Sequence, residues 1–160
     1  MKLGLTRNLA GIFLVALLAA IAPSASAGQC SQAGAAGKYG FTLAGVVILP
    51  TGAVSIAAVG SAILDAAGNV TGTEARTVGG GYADETFNGT YALNSDCTGS
   101  ATIQFYDSGQ LVRTSVLSLV FDSNQREIRM VQKSLTLPNG AALPVVITVQ
   151  ARKMFTQDDD

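Results

Sequence analysis

Ser100-Ala101-Thr102-Ile103-Gln104-Phe105-Tyr106 is followed by Asp107-Ser108-Gly109, and then by Leu111-Val112-Arg113-Thr114-Ser115-Val116-Leu117-Ser118-Leu119-Val120-Phe121. Ile103 and Phe105 alternate with Thr102 and Gln104, while Leu117, Leu119 and Phe121 alternate with Ser118 and Val120. A period of two with one apolar phase is the mark of a strand that buries one face. Asp, Ser and Gly between two such runs supply the backbone freedom and side-chain acceptors of a turn. The stretch is therefore a hairpin, and the rest of the chain repeats it.

Working outward, strands are expected at Tyr39–Leu49, Ala53–Asp65, Val70–Val78, Glu85–Leu93, Ser100–Tyr106, Leu111–Phe121, Glu127–Leu135 and Ala142–Met154. Pro50-Thr51-Gly52, Asp65 to Asn69, Gly79-Gly80-Gly81, Asn94-Ser95-Asp96, Asp122-Ser123-Asn124 and Pro138-Asn139-Gly140 punctuate them. Short strands at regular spacing indicate a sandwich or a barrel. No connection has room for a crossover helix, so successive strands should pair antiparallel. The expected fold is all-β, a single eight-stranded antiparallel up-and-down barrel, because closure removes the exposed edges. An open meander or a sandwich is the alternative, and no helix is expected beyond one at the N-terminus.

The alternation assigns an inner face to Phe41, Leu43 and Val47, to Phe87, Tyr91 and Leu93, to Ile103 and Phe105, to Leu117, Leu119 and Phe121, and to Leu143, Val145, Ile147 and Val149. Thr42, Asn88, Thr90, Thr102, Gln104, Ser118, Thr148 and Gln150 fall on the other face, as in a half-solvated sheet. Val46, Ile48, Val112, Val116 and Val120 are apolar on that outer face. They read either as scattered surface residues or as a covered patch, such as a homo-oligomer contact.

The N-terminus is of another kind. Lys2 and Arg7 precede an apolar run from Leu9 to Ala22, and Ala25-Ser26-Ala27 follows Pro23-Ser24. A charged head, a short apolar core and an A-x-A site form a secretory signal. The run is short for a span of about 20 residues. Gln29 before Cys30 argues against lipidation. The expected organisation is a signal peptide over 1–27, a barrel domain over 28–155 and an acidic disordered tail over 156–160, in an exported chain that is periplasmic or extracellular.

Cleavage after Ala27 leaves 133 of the 160 residues, enough for one domain with its own core. Losing Lys2 and Arg7 moves the formal net charge from −1 to −3. No basic patch marks a nucleic-acid partner. The two cysteines, Cys30 and Cys97, allow one internal pairing, and export favours a bridge. It would tie the mature N-terminus to the turn at Asp96 to Gly99.

Histidine is absent, which excludes Ser-His-Asp and Cys-His catalysis and His-ligated zinc. No catalytic residue, metal ligand or cofactor is assigned. The carboxylates at Asp65, Glu74, Asp84, Glu85, Asp96, Asp107, Asp122 and Glu127 fall mostly at strand ends, where Asp serves turns. A pair facing each other inside the barrel would be needed for acid–base work, and no motif indicates one. Asn69-Val70-Thr71 and Asn88-Gly89-Thr90 match a glycosylation triplet that arises often by chance. Gly79-Gly80-Gly81 lacks the Lys-Ser/Thr of a phosphate loop and reads as a flexible turn. Arg113 shares the phase of Leu117. Its ordinary place is the barrel rim with its head in water; pointing inward, it would need a partner and could anchor an anionic ligand.

Gly37-Lys38-Tyr39-Gly40-Phe41-Thr42-Leu43-Ala44-Gly45 and Gly89-Thr90-Tyr91-Ala92-Leu93-Asn94-Ser95-Asp96-Cys97-Thr98-Gly99 resemble the signature of an uncharacterised family of short exported bacterial proteins. Gly68-Asn69-Val70-Thr71-Gly72 is similar to that family's central turn, with Ala66-Ala67 as a departure. The likeness spans most of the mature chain through turn and strand residues. It implies a small barrel of the calycin or allene oxide cyclase type and carries no active site.

Three roles follow. The first is a binding module whose interior holds a small hydrophobic molecule, with Phe41, Phe87, Tyr91, Phe105, Arg113 and Phe121 as the candidate pocket. The second is a structural or interaction protein with a filled barrel acting as an oligomer. The third is a small outer-membrane barrel, weakened by the absence of Trp and by only four Tyr for an aromatic girdle. Ala58, Gly60, Ala62 and Gly89 could leave space for a ligand or make room for phenylalanines. The binding barrel is preferred, ahead of any enzyme.

Overall fold

The structure is a computed structural model that describes residues 29–122 and 124–154. The expected signal, the mature start at Gly28 and the acidic tail lie outside those residues. Among the described residues, nine strands follow one short helix: α1 (Gln32–Ala35), β1 (Gly37–Leu49), β2 (Gly52–Leu64), β3 (Asn69–Val78), β4 (Gly81–Leu93), β5 (Thr98–Asp107), β6 (Gln110–Phe121), β7 (Glu127–Thr136), β8 (Ala142–Leu143) and β9 (Val145–Lys153).

Each strand from β1 to β7 pairs antiparallel with the next, and β9 pairs with both β7 and β1. The sheet therefore closes into an eight-stranded barrel, with β8 as a two-residue addition beside β7. Closure excludes the open meander and the sandwich. The inner phase is the one read from the sequence: Leu43, Val47, Phe87, Tyr91, Ile103, Phe105, Leu117, Leu119, Phe121, Ile147 and Val149 are all buried. Of the outward apolar residues, Ile48 and Val120 are exposed, whereas Val46, Val112 and Val116 are half-buried.

Four expectations need correction. The last strand is not continuous, because Pro144 has no N–H for the ladder and divides β8 from β9; its carbonyl still accepts from Ile48 N–H at 2.8 Å. The fourth strand begins four residues early, at Gly81. Gly79 and Gly80 both take positive φ, 56° and 90°, and make a tight two-residue hairpin turn in place of a flexible break.

The third correction is α1. Ser31 Oγ accepts from Gly34 N–H at 3.1 Å and caps its start. Ala35 is fully buried, and the Tyr39 hydroxyl beneath it donates to the carbonyls of Ala35 (2.7 Å) and Gln125 (3.0 Å). Burial raises the Tyr39 hydroxyl well above its ordinary pKa. Gln125 Nε2 donates to Ser31 O at 2.7 Å, and Gln32 Nε2 donates to Tyr91 O at 3.1 Å. The helix thus seals the end of the barrel formed by the β2–β3, β4–β5 and β6–β7 turns. The Cys30–Cys97 disulfide holds it there, linking positions 67 apart.

The fourth concerns residue phase. Extra residues at Val112 in β6 and Lys133 in β7 shift the register with the partner strands. Each bulge re-aims the side chains beside it. Both Gln132 and Leu135 are consequently buried, although simple alternation would separate them.

Candidate functional site

Register builds the interior row by row. Phe41 stands opposite Gly60 and Phe87 opposite Gly72. A Cβ on Gly60 would run into Thr73 O and the Phe41 ring, and one on Gly72 into Ser61 O and the Phe87 ring. These glycines give the phenylalanines their space. Phe41 meets Phe87 edge-on at 5.9 Å between centroids, and Phe87 meets Phe105 at 5.4 Å. Phe105 in turn stands opposite Arg113, whose guanidinium lies 3.8 Å from the ring centroid. That contact is a cation–π stack in a desolvated setting.

Toward the end of the barrel away from α1 the lining changes character. Glu74 and Glu85 are directly opposite in the β3–β4 register, both facing inward and both 3% exposed. Two like charges so placed repel, and burial away from water adds to the cost. Arg113, 7% exposed, answers both: Nη2 donates to Glu74 Oε1 at 2.6 Å, and Nη1 donates to Glu85 Oε2. Arg76, nearer the mouth, donates to Glu85 Oε1 from Nη2 at 2.5 Å and from Nε at 3.0 Å. Two guanidiniums and two carboxylates balance in charge.

The two carboxyls are not equivalent. Burial would raise Glu85, but hydrogen bonds and charge from Arg76 and Arg113 outweigh it and hold the group below its ordinary value. Burial raises Glu74, Glu85 adds to this through its charge and through a side-chain hydrogen-bonding contact, and Arg113 alone opposes it. Glu74 Oε2 has no hydrogen-bond partner among the described residues. Ser115 and Gln132 extend the polar band, with Gln132 Nε2 donating to Ser115 Oγ at 2.9 Å.

A cavity of about 90 Å³ occupies the interior. Phe41, Phe87, Tyr91, Phe105, Arg113 and Phe121 all line it, together with Glu74, Ser115, Gln132, Met130 and aliphatic residues. Arg113 is therefore not at the rim. It is also not available to an anion, since its own chain's carboxylates occupy it. Tyr91 is tied to the α1 end of the barrel, its hydroxyl donating to Asp65 O of the β2–β3 turn at 2.7 Å and its carbonyl accepting from Gln32 Nε2 of α1.

Glu74 and Glu85 are the residues that the strand-end assignment missed. Their phase was the available signal, because Glu85 precedes the inward Phe87 by two and Glu74 follows the inward Val70 by four. Asp65, Asp96 and Asp122 do serve turns, accepting from the backbone N–H groups of Asn69, Thr98 and Arg126.

No family model matches the sequence, and no curated protein matches it. Among solved structures, the chain is similar to EF1p2_mFAP2b bound to DFHBI, with a TM-score of 0.54 at 12% identity over 78% of this chain and 100% of that one. It is also similar to a redesigned β barrel, mFAP1, bound to DFHBI, with a TM-score of 0.49 at 15% identity over 77% and 100% of the two chains. At such identities the likeness is one of fold, and the first of these carries it.

Proposed function

We propose that this protein is an exported binding module that holds one small, largely apolar molecule inside its barrel. The interior cavity carries the proposal. Protein interiors contain few voids larger than a water molecule, which needs about 10–15 Å³. A space of about 90 Å³ exceeds that several-fold. Left empty it costs about 2 kcal/mol at the usual penalty per unit of cavity volume, and an occupant of the right shape would recover part of this. It is well below the roughly 300 Å³ of common ligand pockets, so the occupant is compact. EF1p2_mFAP2b, similar to this chain in fold, is bound to DFHBI, which is compatible with small-molecule binding by this chain.

Export, with a mature start at Gly28, is part of the proposal. The Cys30–Cys97 disulfide fits an oxidising compartment. A lipid-facing barrel is disfavoured because Thr42, Asn88, Thr90 and Gln150 are exposed on the outer face while the inner face is mainly apolar, the reverse of a porin-like pattern. The structural alternative draws on exposed Ile48, Val59 and Val146 on neighbouring strands, which could form a contact between copies.

Native mass spectrometry of protein purified from the periplasm tests these readings together. The binding module predicts a retained small mass on a chain beginning at Gly28. A bare monomer or oligomer, with no unfolding-temperature response to small apolar compounds, would overturn it.

A further inference from the structure

The geometry points to Glu74 as the polar anchor of the cavity and to a ligand of matching chemistry: a compact, neutral ring compound that donates one N–H or O–H to Glu74 Oε2. The inference rests on the binding role above and specifies its ligand class.

Three observations converge. Glu74 lines the cavity, its side chain is fully buried, and Oε2 lacks a hydrogen-bond partner among the described residues. Buried polar atoms are nearly always satisfied, and an unmet carboxylate oxygen is especially costly. A donor placed in the cavity would meet it. Next, Arg76, Arg113, Glu74 and Glu85 already balance in charge. A cationic ligand would bring an unpaired charge into low-dielectric surroundings, and an anionic one would face Glu74 with Arg113 already engaged. A neutral donor leaves the balance intact. Finally, Phe41, Phe87 and Phe105 form an aromatic wall, which favours the edge or face of a flat ring. Met130, with its flexible thioether, lines the same space and can adjust to the fit.

A proton on Glu74 is the competing way to satisfy Oε2. That state would donate to the neighbouring Glu85 carboxylate or from the cavity wall, and in neither case would a ligand donor be preferred. Pyrrole and furan separate the two cases, because they are five-membered rings of nearly equal size and only pyrrole has an N–H. Each is titrated into the disulfide-bonded chain at neutral pH while the methyl resonances of Ile103 and Leu117 are followed by NMR.

Pyrrole is expected to bind at least roughly tenfold more tightly than furan, as a hydrogen bond to a charged acceptor requires. In Glu74→Gln, Arg113 retains the amide oxygen and the NH₂ takes the place of Oε2. The preference should then vanish or reverse. Equal or tighter furan binding in the wild type overturns the donor class while leaving the binding role in place. A pyrrole preference that survives in Glu74→Gln removes Glu74 as the anchor. Neither ring shifting an interior methyl removes both this inference and the binding role. The wild-type comparison decides the ligand class even if the variant fails to fold.

Discussion

Arg113 Nη2 donates to Glu74 Oε1 at 2.6 Å across the barrel interior, joining residues 39 apart in sequence. The same guanidinium also pairs with Glu85 and lies on Phe105. One side chain therefore couples the β3–β4 hairpin to the β5–β6 hairpin and neutralises charge that the register would otherwise set against itself.

Replacing Arg113 by Met keeps most of the volume and removes the charge. Two buried carboxylates then lose their shared partner, which costs about 3–5 kcal/mol. Urea unfolding at neutral pH measures this. A loss below about 1 kcal/mol would show that the pairing is not buried as described.

Glu74 and Glu85 give opposite pH dependences. Glu85 is lowered in the folded state, so its contribution is present above the ordinary value of 4.5 and is lost as pH falls through its folded pKa. Glu74 is raised, so folding favours its protonated form, and stability declines as pH rises from 4.5 toward its folded pKa. Unfolding free energy should therefore fall on both sides of this region. Glu74→Gln should flatten the limb above 4.5 and leave the acid limb in place. An unchanged upper limb in the variant would assign that dependence to another group.

The disulfide closes a long loop. Cys30→Ser with Cys97→Ser releases it and is expected to cost about 4 kcal/mol by the chain-entropy model. Hydrogen exchange should locate the first consequence at α1. Protection of the Ala35 and Ala36 amides, which bond to Ser31 O and Gln32 O, should fall before that of β1. Loss of protection in β1 with α1 intact would contradict the tethering role.

Gly72 is required by close approach, since any Cβ there meets the backbone oxygen of Ser61 as well as the Phe87 ring. Gly72→Ala should destabilise by about 1–3 kcal/mol and shift the ring resonances of Phe87 and Phe41. Gly81 serves as a control. Its added Cβ would meet only Val78 O, at 3.4 Å, so Gly81→Ala should change stability little. Equal effects at the two positions would remove the packing argument.

The strand plan was legible because a strand has a period of two and this chain keeps one apolar phase through most of its strands. Phe87, Tyr91, Ile103, Phe105, Leu117 and Leu119 declared the inner face without any tertiary information. The same phase carried Glu74 and Glu85 inward, but turn statistics for acidic residues pulled them to strand ends. Gln132 was hidden for a different reason: a bulge at Lys133 breaks the alternation. The helix α1 was hidden too, because four residues give no periodicity and its stability comes from Tyr39, Gln125 and Tyr91 beneath it.

The amino-acid order alone determined an all-β chain of antiparallel neighbours, its inward aromatics and a single cysteine pairing, since these depend on local spacing and residue type. Closure through β1 and β9, the plug over one end and the meeting of Arg113 with two carboxylates were decided only by the folded barrel. Those contacts depend on how strands far apart in sequence are staggered around the ring. Stagger is set by bulges and long-range packing that short-range alternation does not encode.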